Sequence, residues 1–118
     1  MSKIHLFVLG LLALILFGFL YKQSWSQINF NAEQWRIASK EQNYKVRFRM
    51  KDDLLSYLKK SRPNLKKISI LLGSPDQNPH YSIYKYKLGH EYIGITYYFI
   101  IVEYAQNDDY VKSYLGSD

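Results

Sequence analysis

The 118-residue chain contains no cysteine. That absence excludes a disulfide framework, thiolate metal sites, a cysteine nucleophile and a lipidated N-terminal cysteine. It says little about redox compartment, since a cysteine-free chain is viable anywhere. Acidic residues are scarce: ten Asp or Glu stand against sixteen Lys or Arg, for a net charge of +6. Catalytic signatures are missing too. The chain has no glycine-rich phosphate loop and no Gly-x-Ser-x-Gly turn. His80 and His90 flank the first expected strand at no metal-ligand spacing and with no third ligand. We therefore expect no enzyme, no metal and no cofactor.

Polar residues are also missing from residues 4–21, IHLFVLGLLALILFGFLY, where only His5 interrupts the apolar run. As a helix this stretch rises about 27 Å, close to a bilayer's hydrocarbon thickness. A helix in a soluble core would keep one polar face. The expectation is an N-terminal transmembrane helix over 1–21, an uncleaved signal-anchor crossing the cell membrane in a single span. The small-x-small match at Ser24-Trp25-Ser26 offers the alternative of signal cleavage near Ser26 and secretion to the periplasm. Lys3 favours a cytoplasmic N-terminus, whereas Lys22, Arg36 and Lys40 weigh the other way. A very short N-terminal tail behaves like a signal sequence, which places the C-terminal domain outside the cytoplasm. Residues 22–30 read as a polar tether, with Trp25 at the level of an interfacial aromatic.

The remaining residues, 31–118, read as one small domain. Asn31 with Gln34 fits a capping box for a short helical turn over 32–39, and Trp35 is its large apolar group to be buried. Met50, Leu54, Leu55 and Leu58 form a helical stripe. Asp52 and Asp53 are placed in the first turn of that helix and Lys59 and Lys60 in its last, matching the helix dipole. Ser61-Arg62-Pro63 breaks the helix. Asn64 caps a second helix, striped by Leu65, Ile68, Leu71 and Leu72 and stopped at Gly73.

Three strands follow. Residues 81–88 carry Lys85 and Lys87 on one face and Tyr84, Tyr86 and Leu88 on the other. Residues 96–104 are apolar on both faces, as in a central strand. Residues 106–109 form a turn, and 110–115 alternate again. The fold class is α+β: two short helices packed on one face of a three-stranded antiparallel sheet, after the transmembrane helix.

Several of these residues resemble the small SmpA/OmlA-type envelope proteins, the BamE-like family. The match is Trp35, then Arg47-x-x-Met50-x-x-Asp53-Leu54, then Ile68-x-x-Leu71-Leu72-Gly73-x-Pro75-Asp76, then a tyrosine-rich strand near Tyr84. It covers about residues 30–115. The family usually has glycine and threonine or serine where this chain has Arg62 and Asn64. Asn64 keeps the capping chemistry, and Arg62 must take the backbone that a glycine allows. Many members are lipoproteins, and this chain lacks their cysteine, which leaves the inner membrane as the expected site. The resemblance implies two helices on a three-stranded sheet. It also implies a role in envelope integrity or outer-membrane protein assembly, through an envelope protein partner.

Charge and aromatic content suggest two partner surfaces. Between Arg36 and Lys67 the basic residues exceed the acidic ones by eight. Lys59, Lys60, Arg62, Lys66 and Lys67 form a basic ridge for docking on a partner or on anionic lipid headgroups, or else a solvated helix face. An extracytoplasmic location opposes nucleic acid. The sheet face away from the helices is expected to show tyrosine rings and lysines, with Tyr81, Lys85 and Tyr98 as candidate contacts. The competing reading is that the tether and Trp35 cover that face.

Overall fold

The computed structural model describes residues 3–24, 26–90 and 96–117, and the side chains of these except 18–24 and 90. Four helices precede four strands: α1 (Lys3–Ser24), α2 (Ala32–Glu41), α3 (Tyr44–Ser61), α4 (Leu65–Leu72), β1 (Gln77–His80), β2 (Ile83–His90), β3 (Tyr97–Tyr104) and β4 (Tyr110–Ser117). The strands form one antiparallel sheet in the order β1-β2-β3-β4.

Three features correct the expected fold. The sheet has four strands, because Gln77–His80 pairs with β2 through its backbone while its side chains stay exposed. Three helices, α2, α3 and α4, accompany the sheet rather than two. The expected transmembrane helix is not found: among the described residues, no helix is long and apolar enough to cross a membrane. Trp25 and the His90 ring lie outside the described residues.

Local chemistry sets the helix ends. Asn31 caps α2 by accepting the Gln34 N–H at 3.0 Å, and Asn64 caps α4 by accepting the Lys67 N–H at 2.9 Å. Arg62 ends α3 in the left-handed region, φ 49 and ψ 57, the conformation a glycine adopts most readily. α3 begins at Tyr44, six residues before the expected stripe. Asp52 and Asp53 therefore sit mid-helix, and their dipole role does not hold. Asp53 instead accepts the Phe30 N–H at 2.6 Å.

That bond belongs to a seam that fixes the expected tether along α3. The Ile28 N–H donates to the Arg49 carbonyl at 2.8 Å, and Arg49 Nε donates to the Ser26 carbonyl at 2.9 Å. Gln27 Nε2 donates to the Phe48 carbonyl at 3.2 Å. Ile28 and Phe30 are half-buried against the core.

The core lies between helices and sheet. Met50, Leu54 and Leu58 of α3 and Ile68 and Leu72 of α4 meet Tyr86, Leu88, Ile100, Val102 and Tyr104 from β2 and β3. Trp35 of α2 is fully buried among them, as expected. The opposite sheet face is closed by its own side chains. Ile101 lies so close over Gly116 that any Cβ there would overlap it. Lys85 covers Phe99, with Nζ 5.6 Å from the ring centroid.

Candidate functional site

Arg47 occupies a core position of α3, only 1% exposed. It falls on the same helical stripe as Met50, Leu54 and Leu58, so its charge is carried inside and must be matched there. Nη1 bonds Asp76 Oδ2 at 3.0 Å and the Lys87 carbonyl at 3.3 Å. Nε donates to the Trp35 carbonyl at 3.1 Å, and the guanidinium lies 4.3 Å from the Trp35 ring centroid. Asp76 Oδ2 also accepts the Lys87 N–H at 2.8 Å. Burial pulls the Arg47 pKa below its ordinary value, and the charge of Asp76 opposes that shift. This cluster ties α2, α3, β2 and the segment after α4 to one another. Arg47 Nε and Nη1 and Asp76 Oδ2 are all engaged within it, which makes it a tie between elements of the fold.

Two core tyrosines are perturbed by burial. Tyr86 donates to the Gly73 carbonyl at 3.2 Å, whereas the Tyr104 hydroxyl is buried without a partner among the described residues. Burial, before any nearby charge, holds both phenols above the ordinary tyrosine value of 10.0. The folded protein therefore keeps these protons to higher pH than the unfolded chain does. Their contribution to stability is intact below about pH 10 and is lost as pH rises through the native values above it. Tyr104→Phe is expected to raise stability by about 1 kcal/mol at neutral pH and to flatten the alkaline decline. Urea melts at about pH 8 and about pH 11 check both effects; an unchanged decline in the variant counts against it.

The surface carries a groove between α3 and α4. One hollow of about 640 Å³ is lined by Phe30, Asp53, Ser56, Tyr57, Lys60 and Leu71, together with Asn31 and Ala32. A second of about 250 Å³ is lined by Tyr57, Ser61, Pro63, Lys67, Ile70 and Leu71. The two share Tyr57 and Leu71, which makes them one continuous depression. Its floor is apolar: Ile70 is 66% exposed and Tyr57 45%, and Tyr57 stacks on Phe30 at 6.4 Å. Its rim is basic through Lys60 and Lys67.

The structure divides the expected contact residues. Lys59, Lys60, Lys66 and Lys67 are exposed, and none has an ion-pair partner among the described residues. Arg62 is exposed as well, but its Nη2 donates to the Tyr110 carbonyl at 3.3 Å and the guanidinium lies 4.9 Å from the Tyr110 ring centroid. Tyr98 packs against the Phe48 ring on the helical side of the sheet. It therefore does not share a face with Lys85, which stands opposite Ile101 on the other side. Tyr98 and Ile101 are three residues apart on β3, so strand alternation separates the two faces. Tyr81 sits in the turn after β1, exposed, with its ring tilted against His80 at 4.3 Å between centroids. Among the described strand residues, the tyrosine-rich open face is reduced to Tyr97 and Tyr114, because Tyr84, Tyr86, Tyr98 and Tyr104 face the helices.

Sequence reasoning missed Tyr57, Ile70 and the half-buried Leu71 as a surface. The available signal was an apolar residue lying off the buried stripe of its helix, as Tyr57 and Ile70 do. In comparisons with known proteins, no family model, curated protein or solved structure matches the chain.

Proposed function

We propose that this chain is a non-enzymatic, membrane-attached extracytoplasmic module that binds an envelope protein through the α3–α4 groove. In the role implied by its BamE-like resemblance, it supports envelope integrity or outer-membrane protein assembly. The observation that carries the reading is the groove itself: exposed Tyr57 and Ile70 on the floor, Lys60 and Lys67 on the rim. Such a surface suits a segment that presents an apolar side chain between carboxylates. Attachment to a membrane draws support from α1, whose apolar side chains are exposed all round, Ile4 at 74%, Phe7 at 72% and Phe17 at 71%.

A photoreactive side chain at position 57, in the protein's own membrane, is expected to give one discrete cross-linked protein. Adding Lys60→Glu and Lys67→Glu is expected to reduce that product about tenfold. Both lysines are exposed, so the melting behaviour should stay within about 0.5 kcal/mol of wild type. No protein product at position 57 would reject the reading. The second reading, docking on anionic lipid headgroups, rests on the four exposed lysines of the ridge. It requires binding to anionic vesicles that weakens steeply with salt.

A further inference from the structure

The two edges of the sheet are built differently. Edge strands expose unpaired N–H and C=O groups, and proteins blunt them with proline, short length, irregular pairing or a covering element. β1 has three of these devices: it is four residues long, contains Pro79 and shifts register against β2. β4 is eight residues long and contains no proline. Its first residue is covered by Arg62, and its one irregularity, at Val111, lies beside that contact. From Lys112 to Ser117 it pairs regularly with β3. Among the described residues, no other element is hydrogen-bonded to its outer edge. Val111, Tyr114 and Leu115 are 48%, 37% and 41% exposed.

We propose that residues 112–116 pair antiparallel with the same strand of a second copy, about a two-fold axis at Tyr114. The two four-stranded sheets then become one of eight strands. In this register Tyr114 faces Tyr114 of the second copy, an aromatic cross-strand pair. Lys112 faces Gly116, where no side chain competes for space. The two lysines lie about 14 Å apart along the strands, beyond a Debye length of about 8 Å. On the other face Leu115 meets Ser113.

Charge singles out a second copy over a charged peptide. Among the described residues of β4, Lys112 is the one lysine or acid, and Glu103 lies 3.4 Å from it, so this stretch presents no net charge for such a peptide to read. A two-fold pairing also closes on itself. The edges left outside it are the two blunted β1 strands, so growth stops at two copies.

The test uses the full chain in detergent micelles. Because the sequence has no cysteine, Tyr114→Cys carries a single thiol. Under mild oxidation it is expected to form a disulfide dimer at least about tenfold faster than Leu115→Cys or Tyr57→Cys. Tyr114→Lys sets two ammonium groups face to face and is expected to raise the dimer dissociation constant at least about tenfold by sedimentation. Association through α1 alone would give no preference for position 114. Equal or slower cross-linking at 114 than at 57 overturns the proposal, as does a dimer indifferent to Tyr114→Lys. Should Tyr114→Lys fail to fold, as its melt would report, the cross-linking comparison decides.

Discussion

Arg47→Met is expected to destabilise the domain by about 3–5 kcal/mol, measured by urea unfolding, because it leaves the Asp76 carboxylate without its guanidinium. Asp76 has a 21% exposed side chain, so water recovers some of the loss and the lower end of that range applies. The carboxylate would still accept the Lys87 N–H, but the bonds to the Trp35 and Lys87 carbonyls would vanish. Removing both charges together, as Arg47→Met with Asp76→Leu, is expected to recover part of the loss, since an apolar pair needs no partner. A double variant as unstable as the sum of the two single changes would show that the ion pair is not what couples these positions.

Trp35→Ala carries the second large effect, about 3–5 kcal/mol. The ring is fully buried, with Phe30 edge-on at 6.0 Å, Tyr86 edge-on at 6.4 Å and the Arg47 guanidinium over its face. Deletion opens a cavity and also strips Arg47 of its aromatic cover. Trp35→Phe is expected to cost much less. Trp35 Nε1 is buried without a partner among the described residues, so losing that donor removes an unmet need. Thermal melts of the two variants separate cavity from polarity; equal losses would argue against this account.

Much of the fold is legible in the sequence wherever one residue's chemistry is local. Asn64 announces a helix start, Gly73 its end, and the alternation of Tyr84, Lys85, Tyr86 and Lys87 a two-faced strand. What stays hidden depends on partners far along the chain. Arg47 looks like a surface residue until Asp76, 29 positions later, supplies its counter-charge. For the same reason the start of α3 is hard to see: an arginine interrupts its apolar stripe before Met50. β1 is invisible because Gln77, Asn78, Pro79 and His80 carry no apolar alternation, and pairing there is a matter of backbone alone. The face of Tyr98 is misjudged because β3 is apolar on both faces, so its parity with Ile100 and Val102 does not by itself tell which face meets the helices. The groove was half legible. Its lysines stand out by charge, while its apolar floor exists only because α4 lies beside α3.

The seam from Ser26 to Phe30 gives the molecule a mechanical character. Its bonds to α3 run in the chain direction, Ser26 and Ile28 to Arg49, then Phe30 to Asp53. Gln27 straddles Arg49 between them, donating to the Phe48 carbonyl and accepting the Asp52 N–H. Released as far as Phe30, the segment lengthens the leash by about 17 Å. Docked, the segment holds a short reach, and breaking its bonds to α3 would give a longer one.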